Sequence, residues 1–237
     1  MITAIIPALV KDKKLYDLTL KSVSSIISYT PNVRVYLYTN GEHTGIEEKF
    51  ARDFCTLFPS HVCKHFYPEF NMNAVFNMGV RDSKHTGSKW IILSNNDIIF
   101  KDDWLDRRMM ARSDMIIPAT TRTGKGAKEF KEGCEMTESL PERIQWALPD
   151  FSLSMIRRKF ITKHPLDERF WFFGQDNCMV RAVIDSGGVV YKINTCAVIE
   201  HIARSTRLTL TKAERDALHK KTDYRLIEKY RTGMEKI

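Results

Sequence analysis

The chain has 237 residues, 43% hydrophobic and 28% charged, with a formal net charge of +8. That apolar content suffices for one packed domain and argues against global disorder. No window holds 18 uninterrupted apolar residues, so no membrane span is expected, and five cysteines at irregular spacing without a Cys-x-x-Cys argue against a disulfide framework or zinc site and for a reducing cytoplasm.

The N-terminus lacks a basic leader before its apolar run, so residues 3–10 read as a first strand and not as a signal peptide. Residues 15–28 place Leu15, Leu18, Val23, Ile26 and Ile27 near helical spacing. Residues 32–39 alternate Val33, Val35 and Leu37 and end at Asn40-Gly41, a turn signal. A helix is expected over 46–54, a short strand over 61–67, and a helix over 72–81 that stops near Gly79. The apolar run Trp90–Leu93 ends abruptly in Ser94-Asn95-Asn96-Asp97, and a second run, Ile98 to Phe100, follows at once. Residues 103–110 read as helix and 114–118 as strand. Residues 120–148 carry glycines, many charges and little periodicity, which predicts a long loop or a mobile excursion, the kind of segment that is either functional or disordered. Order returns over 152–156, then a helix over 175–185, a β-rich run over 189–199 and a basic amphipathic helix over 212–230. This alternation predicts an α/β sandwich with a mostly parallel sheet. The expected division is a main domain, 1–205, and a basic C-terminal extension, 206–237.

The positive charge is uneven. Residues 203–237 hold ten Lys/Arg and five Asp/Glu, which is +5 of the total, and a second basic stretch spans 107–131. Such patches suit a polyanion, either nucleic acid or an anionic membrane surface, and a solvated helix face explains them equally well.

The polar tip at 94–97 is the chemically informative feature. Ligands of open α/β sheets bind beyond the carboxyl ends of the strands, and a carboxylate there can hold a divalent cation that takes its other ligands from phosphates and water. Three further segments accompany it in order: Phe70-Asn-Met-Asn-Ala-Val-Phe-Asn-Met-Gly79, Leu166-Asp-Glu-Arg-Phe-Trp-Phe-Phe-Gly-Gln-Asp-Asn-Cys178, and Ile199-Glu-His-Ile-Ala-Arg-Ser205. Together the four segments resemble the family 2 glycosyltransferases of the GT-A (nucleotide-diphospho-sugar transferase) fold, a single Rossmann-like α/β/α sandwich. That family pairs an NND metal motif with an upstream Asn-rich helix, an FDERFFFYGED segment before a helix, and a late HxxxxS. The likeness covers residues 3–205.

The resemblance implies a metal-dependent, inverting enzyme that moves a sugar from a nucleotide-sugar donor to an acceptor hydroxyl. A UDP-sugar is the first expectation, while Asn40, where relatives often carry a base- or ribose-contacting acid, leaves the nucleotide open. Asp97 and His201 would hold Mn²⁺ or Mg²⁺, while Asn95 stands where many relatives carry the first carboxylate of Asp-x-Asp. Asp176 matches the catalytic base, with Gln175 replacing the usual neighbouring Glu. Pro7, Asn40, Asn71, Asn77, Asn95 and Asn96 are the nucleotide-contacting candidates. A helix cap and a packing amide serve Asn71 and Asn77 equally well, and Asp176 can also cap its own helix. In the aromatic run 170–173 most rings belong to a core, with Trp171 a candidate for stacking on an acceptor, and Gly174 would turn the backbone toward Asp176.

Other readings stay open. The basic charge suits a hydroxymethylated base in DNA as acceptor, as in phage-type DNA glycosylation in a host cytoplasm. Peripheral contact with a membrane surface is compatible with the same charge. A sugar nucleotidyltransferase shares the sheet and the diphosphate chemistry, but such enzymes open with a Gly-rich loop, and residues 1–14 contain no glycine. A non-catalytic nucleic-acid- or carbohydrate-binding module would keep the fold alone.

Overall fold

A computed structural model describes residues 1–40, 45–66, 71–101, 104–105, 107–118, 121–123, 135–137, 152–170, 175–194, 199–202, 211–221 and 225. Trp171, Gly174, most of the segment 120–148 and most of the basic tail lie outside them, as do the side chains of Asn40 and Asp176.

Strand β1 (Ile2–Ala8) is buried along its whole length, as a central parallel strand must be. Asp12 then accepts a hydrogen bond from Leu15 N at 2.8 Å and starts α1 (Lys13–Tyr29). Strand β2 (Val33–Asn40), helix α2 (Gly45–Leu57), strand β3 (Val62–Phe66) and helix α3 (Met72–Asp82) continue the alternation. After a 3₁₀ turn (Lys84–Thr86) come β4 (Trp90–Ser94), β5 (Ile98–Phe100), α4 (Arg107–Arg112) and β6 (Met115–Pro118). The segment expected as one long loop contains β7 (Thr121–Thr123) and β8 (Glu135–Thr137). Strand β9 (Leu153–Arg157), helices α5 (Arg158–Lys163) and α6 (Gln175–Asp185), strands β10 (Val190–Asn194) and β11 (Ile199–Ile202), and helix α7 (Lys212–Lys221) complete the order.

The main sheet has eight strands in the order β3-β2-β1-β4-β9-β6-β10-β8. Strand β9 runs antiparallel to both neighbours, β4 and β6, and β8 runs antiparallel to β10, so the remaining six strands share one direction. A second sheet, β5-β11-β7, stands at the carboxyl end of β4.

Period-two alternation along the strands builds a core on each face. Ala4, Ile6, Val35 and Leu37 meet Val23, Ile26, Phe50 and Phe54 of α1 and α2. Ile5, Tyr36 and Tyr38 meet Val75, Phe76 and Val80 of α3 and Val180 and Val183 of α6. Each fully buried large side chain contributes about 1.5–3 kcal/mol. The expected α/β sandwich with a mostly parallel sheet is thus present.

One expected boundary is corrected. Helix α3 does not stop at Gly79 but runs through it to Asp82. A Cβ at position 79 would lie 2.5 Å from Ile5 Cγ2, so the glycine is a point of close approach between α3 and β1.

Cys55 and Cys63 are free thiols. Burial, with added charge from Cys55 and Glu47, pushes the Cys63 thiol up to about 12, which makes it a packing residue and not a nucleophile.

Candidate active site

The carboxyl ends of β1, β2 and β4 define one edge of the sheet, and the polar tip after β4 is fixed there by its neighbours. Asn95 N donates to Ser152 O at 2.8 Å, which joins the tip to the start of β9. Asn96 is buried, and its Nδ2 donates to Thr19 Oγ1 of α1 at 2.8 Å. Strand β5 then lies along α1, with Phe100 N donating to Ser25 Oγ at 3.0 Å. These bonds satisfy groups that a bare turn would leave buried and unpaired.

Strand β11 supplies the second half of the site. It pairs antiparallel with β5, with His201 opposite Ile98, and Ile202 N donates to Asp97 O at 3.0 Å. Residues 97 and 201, distant in sequence, therefore face each other. Asp97 Oδ1 and His201 Nε2 are 3.4 Å apart, and both residues are only 5% exposed. Ser152 Oγ lies 3.0 Å from His201 Nδ1, the other ring nitrogen, and is buried too.

This donor set fits a hard to borderline divalent cation. The 3.4 Å separation is long for a hydrogen bond. It is close to what two donors sharing one cation adopt, since bonds of about 2.1 Å leave cis ligands about 3.0–3.4 Å apart. A ligating imidazole is usually oriented by a hydrogen-bond acceptor on its other ring nitrogen, a carboxylate, backbone carbonyl or water, and here the Ser152 oxygen stands in that place. Among the described residues, no third His, Cys, Asp or Glu joins the pair in a cluster that could hold a metal. A cation here would therefore draw most of its coordination from a bound ligand and water, which is how Mg²⁺ and Mn²⁺ behave beside phosphates.

The asparagines of α3 act on the protein itself. Asn71 caps the helix by accepting from Ala74 N at 3.0 Å, and its Nδ2 donates to Glu168 O at 2.9 Å. Asn73 Nδ2 donates to Asp167 O at 2.7 Å. Asn77 accepts from Leu166 N at 2.9 Å and donates to Leu166 O and Glu168 Oε1 at 2.8 and 3.0 Å. The amides of Asn71 and Asn77, candidates for nucleotide contact, thus form a latch with Asn73 that grips residues 166–168. The amide of Asn96 is likewise engaged by α1.

Asp176 is the second residue of α6. Phe170, the first ring of the aromatic run, is fully buried. Pro7 is buried on β1 opposite Tyr38, beyond the last β1–β4 pair, Ile5–Leu93, and Asn40 ends β2 opposite Phe66. Both lie at the same edge as the 94–97 tip. Ser152, Thr19 and Glu168 carried no signal in the sequence, because a serine before a strand, a threonine in a helix and a glutamate in a loop are each common. The 73/77 spacing of the amides, one helical turn apart, was a readable sign of a shared face.

No family model and no curated protein matches the sequence. Solved structures do match in fold. Staphylococcus aureus TarS 1–349 in complex with UDP-GlcNAc is similar with a TM-score of 0.65 at 10% identity, covering 97% of this chain and 66% of that one. GalNAc-T7 with UDP, GalNAc and Mn²⁺ is similar with a TM-score of 0.65 at 13% identity, covering 85% of this chain and 43% of that one. A nucleoside-diphosphate-sugar pyrophosphorylase from Vibrio cholerae RC9 gives 0.57 at 13% identity, covering 92% of this chain and all of that one. The chain thus has the GT-A fold, and it spans less than half the length of GalNAc-T7.

Proposed function

We propose that the chain is a metal-assisted glycosyltransferase that moves a sugar from a UDP-sugar to an acceptor hydroxyl. The observation that carries this reading is the buried Asp97–His201 pair, 3.4 Å apart at the carboxyl edge of the parallel strands. The TarS and GalNAc-T7 complexes, which hold UDP-GlcNAc and UDP with Mn²⁺, support the choice of nucleotide and of metal. A saccharide hydroxyl is the proposed acceptor, and the GalNAc in the GalNAc-T7 complex is consistent with it. A hydroxymethylated DNA base rests on charge alone, and a steep salt slope in duplex binding is what that acceptor requires.

Asp97 and His201 would hold Mn²⁺ or Mg²⁺, with Ser152 orienting the imidazole. When bound there, the cation supplies Lewis-acid neutralisation of the charge on a departing diphosphate. Asp176 takes the proton from the attacking hydroxyl, a contribution of roughly 10²–10⁴-fold. Attack opposite the leaving group inverts the anomeric carbon. The amides of Asn71, Asn73 and Asn77 hold the backbone of 166–168. Pro7, Asn40 and Asn95 border the edge where the nucleotide would lie.

The pyrophosphorylase match gives a second reading, nucleotidyl transfer. Against it, the chain passes from β1 to Asp12 and α1 with no glycine to cradle a triphosphate. The two are separated by product. UDP release from UDP-sugars with Mn²⁺ is expected from the protein, lost in Asp97→Ala, and reduced about 10²–10⁴-fold in Asp176→Asn with nucleotide binding retained. Pyrophosphate exchange with UTP and a sugar phosphate, without UDP release, would reject the transferase reading.

A further inference from the structure

The opposite edge of the sheet carries a polar feature that the transferase reading leaves unused. Strand β9 has one end at each edge. Ser152, just before it, meets His201, while Arg157 pairs with Trp90 at the start of β4. Five strand residues separate the two ends, about 17 Å at about 3.3 Å per residue.

Beyond Arg157 the chain enters α5, and there a cavity of about 590 Å³ opens, a size suited to a small ligand. Lys89, Arg157, Arg158, Lys159, Thr162 and Lys163 line it with Ser88, so five cationic residues and, among the described residues, no carboxylate border it, their aliphatic stems forming most of the wall and the lysine ammoniums its charged rim.

The two arginines are committed to the protein. Arg158 donates Nε to Ser88 O at 2.8 Å, Nη1 to Val80 O at 3.0 Å, and Nη2 to Ser88 Oγ at 2.7 Å and Ser83 O at 3.1 Å. All its partners among the described residues are neutral oxygens, and burial draws its guanidinium down from the ordinary value against an opposing effect of Tyr36. Arg157 donates to Ser113 O and Met110 O and lies over the Trp90 ring, 4.8 Å from the centroid. Asp114 stands 3.3 Å from both Arg157 and Lys159 and is, among the described residues, the single carboxylate paired with any of the five. Lys89 and Lys163 are exposed and form no ion pair with a described residue.

We propose that this cavity binds a phosphoryl group, at a site separate from the Asp97–His201 pair and on the other edge of the sheet. The charge balance calls for a multiply charged anion, since one carboxylate offsets five cations. The donor geometry selects phosphoryl over carboxylate. The planar guanidinium forks that match carboxylates are taken by backbone carbonyls, and the groups left over are lysine ammoniums, point charges that suit phosphoryl oxygens. Thr162, which is exposed, adds a hydroxyl at the wall, whereas the Ser88 hydroxyl is buried and engaged with Thr3, Thr86 and Arg158. A free polyphosphorylated molecule and a phosphodiester chain offer this same chemistry. The proposal does not depend on the transferase reading.

The test is calorimetric titration of the full chain with tripolyphosphate and with a thymidine 12-mer, both in EDTA to silence the divalent-cation site. Three proteins are compared: wild type, Lys89→Glu/Lys163→Glu, and a charge-matched control, Lys21→Glu/Arg52→Glu, at exposed positions on α1 and α2. Tripolyphosphate affinity is expected to fall about tenfold or more in the first variant and less than about threefold in the control. A parallel loss for the 12-mer assigns the site to a phosphodiester chain, and a loss confined to tripolyphosphate assigns it to a free phosphorylated ligand. Equal losses in both variants, or no tripolyphosphate binding by the wild type, would overturn the proposal.

Discussion

His201 reaches toward Asp97 through one ring nitrogen and toward Ser152 through the other. Removing the hydroxyl leaves β9 attached to the tip, because the Asn95–Ser152 bond uses backbone atoms. Ser152→Ala should therefore leave the fold close to intact, at a cost of about 1 kcal/mol for one lost hydrogen bond. Mn²⁺ affinity should drop about 10–100-fold, the usual penalty for losing an outer-shell partner. Ser152→Thr, which keeps the oxygen, should restore most of it. Calorimetry with Mn²⁺ checks this, and unchanged affinity in the alanine variant would remove Ser152 from the site. At this scale the sequence was unevenly readable. Asp97 announces itself by closing an apolar run with a polar tip. Ser152 does not, since its role exists only once β5 and β11 pair and carry His201 across to it.

Helix α3 shows how one element serves two partners. Its Gly79 lies against Ile5 of β1, and its asparagines grip residues 166–168. Gly79→Ala places a methyl group 2.5 Å from Ile5 Cγ2, so a fully buried side chain must shift to admit it. The latch opposes a compensating slide of the helix. Overpacking costs about 1–3 kcal/mol, against about 1 kcal/mol gained from alanine's better helix propensity, so a net loss of up to about 2 kcal/mol is expected. Urea midpoints give the number, and in an Ile5→Ala background the penalty should vanish. Additive effects would show that the two residues do not press on each other. The sequence read Gly79 as a stop because an isolated glycine looks the same whether it ends a helix or lets it approach a strand. Strands β1, β2, β4 and β6 were legible from their continuous apolar runs or alternation. Strands β7 and β8 were not, because three residues each hold no period, and their order comes from pairing with β11 and β10. Helix α5 escaped notice for the same reason, with only Phe160 and Ile161 buried among six mostly basic and polar residues.

Across the whole molecule the proposed ligand sites sit at opposite ends of one sheet, and occupancy of the first should be felt by the entire domain. A ligand that binds only the folded state stabilises it by about 2.7 kcal/mol at a hundred times its dissociation constant. For a chain of this size each kcal/mol moves the melting point by about 2–4 °C, so UDP with Mn²⁺ at saturation should raise it by about 5–10 °C. The increment should depend on the metal, because Asp97 and His201 by themselves present a carboxylate to an anionic diphosphate. A cation between them changes repulsion into attraction. EDTA should therefore reduce the shift to near zero, and Asp97→Ala should reduce it in the presence of Mn²⁺. The Lys89→Glu/Lys163→Glu variant, altered only at the far edge, should retain the full shift. A UDP-induced rise that is the same with and without Mn²⁺ would mean that the nucleotide binds elsewhere on the basic surface, and the carboxyl edge would lose its claim to the donor.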